Sequence, residues 1–318
     1  MTVRSMEDMA GNSSGKPRNT NDGLSDTSEA PVAYLGRDAM VAHPGFLAAE
    51  QKIASVLLDV QADSPRTARL MASYKKWLFT HTIFALTLPG QREDDTTSLT
   101  PSQLEKALKD RVSVNRNTLS RYLAELEVYG FLTQTQNSDD GRMRVIDATP
   151  LAREGMRSWY NGHLACLDQL DGGDRLTTSV QRPDLIFHAQ PRMIARILED
   201  AEWRNPTPSM SCFLETDAGG MLVHYMISQI GTDDPVDGRY MLDEIGTPAL
   251  AERFVISLSN VKRMVRRAEE EGWLGWEAPR RRGRLWVSER FVTDHFRRQA
   301  VKFEYVDRAF QEALSAHR

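Results

Sequence analysis

Along most of this chain apolar residues recur at helical spacing, and the helical runs are punctuated by two short hairpin-like stretches. Phe46, Ile53, Val56, Leu57 and Val60 predict a helix over 43–60. Ser64-Pro65 offers an N-cap and a first-turn proline for a long helix ending near Leu88, where Pro89-Gly90 stops it. Its most apolar run, 77–88, holds His81 and three threonines, and at about twelve residues it is too short to span a bilayer. Thr100-Pro101-Ser102-Gln103 starts another helix, Pro101–Lys109. The next helix, 115–129, carries Leu119, Tyr122, Leu123 and Leu126 on one side and hydrogen-bonding side chains on the other. Gly130 supplies its left-handed C-cap. Strands are expected over 131–136 and 143–148, joined by Asn-Ser-Asp-Asp-Gly, and Thr149-Pro150 opens a helix lasting to about Leu170. Residues 177–183 read as linker.

The second half retraces the first. Val114 meets Ile256, Leu119 meets Val261, Gly130 meets Gly272, Phe131 meets Trp273 and Leu132 meets Leu274, always 142 positions apart (272 − 130). The same offset pairs Gly141 with Gly283, Arg142 with Arg284 and Val145 with Val287, without a gap. Upstream, 79–88 falls on 221–230, and an offset of 141 (194 − 53) pairs Ile53-Ala54 with Ile194-Ala195. A shared glycine stop, aromatic-Leu step and Gly-Arg hairpin at one offset point to duplication rather than chance overlap of helices.

Ser113 to Arg121, the step from Leu126 to Leu132, the tip Asp140-Gly141-Arg142 and the exit Thr149-Pro150 together resemble a winged helix-turn-helix of the MarR-like transcriptional regulator family. The resemblance covers nearly all of 43–171 and, in the second copy, 221–287. It implies a mainly α fold with small β-hairpin wings. Members usually carry one unit per subunit and pair as homodimers, so two units in one chain imply a single-chain pseudodimer. The expected organisation is a mobile tail over 1–42, one unit over 43–171, a linker over 172–186 and a second unit over 187–318. The second copy departs from the pattern. It has Ser288-Glu289-Arg290 in place of Thr-Pro, and its segment from Thr247 sits about five residues closer to the following helix.

In helix-turn-helix proteins the N-terminal part of the second helix enters the major groove. In the first copy that presents Asn115, Arg116, Asn117, Thr118, Ser120 and Arg121; Arg pairs with guanine and Asn with adenine edges. In the second copy it presents Ser257, Ser259, Asn260, Lys262, Arg263 and Arg266, followed by Arg267, a more electropositive set. The wings add Arg142 and Arg144 in one copy and Arg280, Arg281, Arg282 and Arg284 in the other, and arginine hairpins suit minor grooves. Each arginine also has a plainer reading as a solvated face, or as a helix-surface pair such as Arg267 with Glu271.

Net charge is −4, so a basic footprint for nucleic acid must be local. The two cysteines, Cys166 and Cys212, are too few for a disulfide framework and suit a cytoplasmic setting. No spacing suggests a metal site, a phosphate-cradling loop or a catalytic constellation, so neither cofactor nor enzymatic activity is expected. The partner expected is double-stranded DNA. The resemblance also implies small aromatic effectors, for which Trp77, Trp159, Tyr160 and His163 are the candidate crevice, although aromatic residues at helical spacing more often form core. Two alternatives stay open: an assembly module that kept the winged-helix fold, favoured by Glu125 and Glu127, and a plasmid replication initiator with tandem winged helices.

Overall fold

A computed structural model of the chain describes residues 35–63, 73–91, 99–109, 115–136, 144–231 and 234–317. Its elements begin with α1 (Arg37–Ala42), α2 (Phe46–Asp63), α3 (Tyr74–Thr87), α4 (Pro101–Lys109), α5 (Arg116–Val128), β1 (Leu132–Gln136) and β2 (Arg144–Ala148). There follow α6 (Pro150–Asp171), α7 (Arg175–Gln181), α8 (Leu185–Glu199), α9 (Ala201–Arg204), α10 (Pro208–Leu214) and α11 (Gly219–Ser228). The chain closes with β3 (Arg239–Met241), α12 (Thr247–Arg253), α13 (Leu258–Glu270), β4 (Leu274–Ala278), β5 (Arg282–Ser288) and α14 (Glu289–Ala316). The protein is mainly helical, with two small antiparallel sheets. In the first, β1 pairs with β2; in the second the order is β3-β5-β4. Among the described residues no helix is long and apolar enough to cross a membrane.

The repeat is visible hydrogen bond by hydrogen bond. Helices α5 and α13 both have 13 residues and start 142 apart (258 − 116). At their C-termini Phe131 N–H donates to Leu126 C=O at 2.8 Å, and Trp273 N–H to Ala268 C=O at 2.9 Å. These six-to-one bonds close over Gly130 and Gly272, at φ 75° and 70°, where a side chain would be strained. Beyond β1 and β4 the offset changes. Leu132 pairs with Ala148 and Leu274 with Val287, so the returning strands align 139 apart (287 − 148). The ungapped match expected through the wing, Val145 with Val287 among its pairs, is therefore corrected: the second hairpin is three residues shorter. The exits then agree, because Thr149 and Ser288 each cap the following helix, accepting from Ala152 and Phe291. Ser288 does the work of the Thr-Pro exit.

Packing between the halves is reciprocal. Helix α2 of the first half lies on α11 of the second, while α8 of the second lies on α3 of the first. Likewise α2 packs on α6, α8 packs on α14, and α6 meets its counterpart α14. Burial shows α8 repeating α2 at an offset of 140 (186 − 46), not 141: Phe46, Ala49, Ile53 and Ala54 correspond to the buried Ile186, Ala189, Met193 and Ile194.

This exchange overrides the expected boundary. The main core joins residues of α1–α6 to α8 and to Ala300–Ala313 of α14, so it does not divide at 172–186. Nor is that stretch plain linker. Arg175, 2 % exposed, is held by Asp168, Asp171 and Asp307, and α7 forms around it. Residues 35–42, expected within the tail, are instead packed on the fold. They are ordered because Met40 is fully buried and Arg37 binds Asp200 at 2.7 Å, Glu202 at 3.2 Å, and Glu304. Residues 1–34 lie outside the described residues. So does the expected helix start at Ser64, the described part being Tyr74–Thr87 capped by Ser73.

The aromatic residues weighed as an effector crevice pack as helical aromatics ordinarily do: Tyr160 and His163 are buried, and Trp77 and Trp159 are half-buried against the core. Trp77 and Trp159 stand 6.0 Å apart, with His81 between them at 4.2 and 4.6 Å, and His163 lies 4.0 Å from Trp159. Tyr160 is fully buried and donates its hydroxyl to Val306 C=O at 2.8 Å. Burial, reinforced by Lys302, depresses His81 to about 3 and His163 well below its usual range. The unfolded chain takes up these protons near pH 6.5 and the folded chain does not. Stability is therefore fully present above about pH 6.5 and is lost as pH falls toward the folded values, at up to ~1.4 kcal/mol per pH unit for each histidine. Melting temperature should fall between pH 7 and pH 5, and His81→Leu should flatten that fall. An unchanged melting temperature across this range would show that the imidazoles are not buried neutral.

Candidate nucleic-acid interface

Helices α5 and α13 present their polar faces to solvent because Leu119, Tyr122, Leu123 and Leu126 in one, and Val261, Met264, Val265 and Ala268 in the other, are buried. Asn115 and Ser257, at equivalent positions, are the N-caps. Asn115 Oδ1 accepts from Thr118 N–H at 2.8 Å and Ser257 Oγ from Asn260 N–H at 3.3 Å. Their first duty is thus to the helix. Neither helix has an acidic residue in its first turn, so no carboxylate of the helix itself offsets its positive N-terminal dipole.

Behind the caps, Asn117, Thr118, Ser120 and Arg121 are exposed, and the side chains of Asn117, Ser120 and Arg121 have no partner among the described residues. Arg116 is 79 % exposed and only 3.9 Å from Glu105 at its nearest, a weak surface pair. In α13, Lys262 and Arg263 are exposed, and Arg263 donates to Asn260 Oδ1 at 3.1 Å. Ser259 and Ser257 share a hydroxyl contact at 3.1 Å. The helix-surface pair is Arg266 with Glu270 at 3.8 Å, and Arg267 is exposed beside it.

The second hairpin is less cationic than its four arginines suggest. Arg281 binds Glu269 of α13 at 2.6 Å and lies 5.7 Å over the Trp276 ring, which pins the hairpin to the helix. Arg284 is paired with Glu277 across the hairpin at 2.8 Å, and Glu277 also accepts the Arg284 N–H. That pairing holds the Glu277 carboxyl below its usual range. Arg280 and Arg282 are exposed with no carboxylate partner among the described residues, and Arg282 reaches only Pro279 C=O at 3.4 Å. The free charge is therefore two arginines, one each side of the pinned Arg281.

This turn is also conformationally costly. Arg280 and Arg281 sit at φ 61° and 58°, consecutive left-handed positions where tight hairpins favour Asn-Gly. Each costs a side-chain-bearing residue roughly 1–2 kcal/mol. Arg280→Asn is expected to stabilise the protein by about 1 kcal/mol; urea titrations showing no gain would mean the turn is unstrained. Arg144, in the first hairpin, is exposed at the start of β2, whereas Arg142 and the tip around it lie outside the described residues.

Other features escape sequence reading. Strand β3 pairs with β5 through Arg239 with Ser288, Tyr240 with Val287 and Met241 with Trp286, and Leu242 N–H extends the contact to Leu285 C=O at 2.7 Å. Among the described residues the first copy keeps one such link, Ile146 N–H to Leu99 C=O at 2.8 Å. Helix α12 packs on α13 as α4 packs on α5, despite its shorter approach. Cys166 and Cys212 are buried free thiols, pushed up by burial to about 12 and about 11 and so unreactive. Glu50, His224 and His295, far apart in sequence, converge between α2, α11 and α14 with ligand atoms within 4.8 Å of one another. The chain matches no family model, no curated protein and no solved structure.

Proposed function

We propose that the chain is a sequence-specific double-stranded-DNA-binding regulator, built from two winged helix-turn-helix units that act as a single-chain pseudodimer of the MarR-like kind. One observation carries this reading. Two 13-residue helices, capped at equivalent residues and each followed by a glycine and a hairpin, turn unpartnered Asn, Ser, Lys and Arg side chains to solvent. Helix–strand–helix–helix–hairpin order in the second half supports it, as does the reciprocal packing expected of an isologous pair. The N-termini, without a first-turn carboxylate, and the exposed Arg280 and Arg282 suit phosphate, while Asn117 and Arg121 suit base edges.

The assembly-module alternative gains nothing from Glu125 and Glu127. The first lies 3.9 Å from Lys76 and the second accepts from Gln134 at 2.7 Å, so each has a local role.

The test is binding of the full chain to a genomic fragment library across a salt series. The expected result is a selected site with two half-sites about 34 Å apart, or a multiple of that, and an affinity that falls steeply with salt. Absence of salt-sensitive duplex binding would sink the proposal.

A further inference from the structure

We propose that Glu50, His224 and His295 form a binding site for a first-row divalent metal ion, zinc foremost. Among the described residues these three make up the one group of metal-ligating side chains with all donor atoms within 4.8 Å. Glu50 is 0 % and His295 2 % exposed, and His224 is half-buried. His295 Nε2 lies 3.0 Å from Glu50 Oε2. Two polar atoms of the cluster, Glu50 Oε1 and His224 Nδ1, are buried without a hydrogen-bond partner.

The simpler explanation is a buried Glu50–His295 pair with a histidine packed beside it. That explanation strands both orphaned atoms, and a buried polar group without a partner costs free energy. A cation at the centre engages the free carboxylate oxygen and the imidazole lone pairs together. Two imidazoles and one carboxylate form a zinc donor set that leaves a fourth position for water.

The fold does not itself require these residues. At the offset of 140 that relates α8 to α2, Gln190 stands where Glu50 does (190 − 50), and its amide bonds to His81 C=O at 2.9 Å. At the offset of 139 that relates α6 to α14, Met156 stands where His295 does (295 − 156). The donor set therefore exists in one copy only. Glu50 belongs to the first half and both histidines to the second, so a bound ion ties the exchanged helices together. Lys302 is a buried positive neighbour of Glu50, so a bound cation shares that carboxylate's charge with it.

The experiment takes the full chain stripped with a chelator, titrates it with Zn²⁺ in competition with a chromophoric chelator, and records the Co²⁺ spectrum. Wild-type protein is expected to bind one equivalent, to show visible bands of low-symmetry nitrogen–oxygen coordination, and to melt at a higher temperature with metal. Glu50→Gln and His224→Gln are each expected to weaken binding by more than the roughly 10–100-fold that outer-shell changes cost. Circular dichroism establishes which variants fold. If Glu50→Gln does not, the half-buried His224→Gln still decides. No stoichiometric binding by wild type, or one equivalent retained at wild-type affinity by a folded variant, overturns the proposal.

Discussion

Replacing Lys262, Arg263 and Arg266 together by alanine is expected to weaken binding to duplex DNA by on the order of 100-fold or more, because each direct contact is worth about 1–3 kcal/mol. The slope of log affinity against log salt should flatten by up to about 0.9 for each phosphate that is no longer neutralised. The three side chains lie on the exposed face of α13, and none is held by more than a weak surface interaction: Arg263 to Asn260 at 3.1 Å and Arg266 to Glu270 at 3.8 Å. Folding should be nearly unaffected. In the wing, Arg282→Ala should flatten the slope for every sequence. Arg284→Ala should do so less, since Arg284 is already neutralised by Glu277. Asn117→Ala is expected to change which sequences are preferred while leaving the slope intact, as removal of a base-reading group should. A triple variant that binds like wild type would remove α13 from the proposed interface.

Arg175→Ala is expected to destabilise the protein by about 3–5 kcal/mol, the range found when one partner of a buried ion pair is deleted. Arg175 Nε and Nη2 engage the two oxygens of Asp307 at 2.8 and 3.1 Å, and Asp307 is 0 % exposed. The same guanidinium reaches Asp171 at 2.6 Å and Asp168 at 3.2 Å. Truncation would strip the buried Asp307 of its cationic partner, leaving it only the Gln311 amide at 3.4 Å, and would release α7 from both α6 and α14. Arg175→Lys should recover only part of the stability, because an ammonium cannot reproduce the two-pronged geometry. Urea unfolding followed by circular dichroism measures both variants; a cost below about 1 kcal/mol for Arg175→Ala would show that water reaches Asp307.

Much of the local structure is legible in the sequence. Leu119, Tyr122, Leu123 and Leu126 repeat at helical spacing, Gly130 stops the helix, and Thr149-Pro150 starts the next. These are signals between residues a few positions apart, where backbone geometry and capping act directly. The duplication is legible too, since a glycine and an aromatic-Leu step recur at one offset. Exposure of the polar faces of α5 and α13 follows from their periodicity.

Tertiary structure decided what depends on residues distant in the chain. Sequence spacing could not reveal that the second hairpin is three residues shorter, because strand register is set by cross-strand pairing and by which side chains face the core. Nor could it reveal that Arg281 and Arg284 spend their charge on Glu269 and Glu277 while Arg280 and Arg282 stay free. Composition marked residues 35–42 as tail and 177–183 as linker. Arg37 and Arg175 order those segments through carboxylates more than 100 positions away, Asp200 (200 − 37) and Asp307 (307 − 175). The cluster of Glu50, His224 and His295 belongs to this second kind. Helix packing builds it from three separate elements, and no local spacing encodes it.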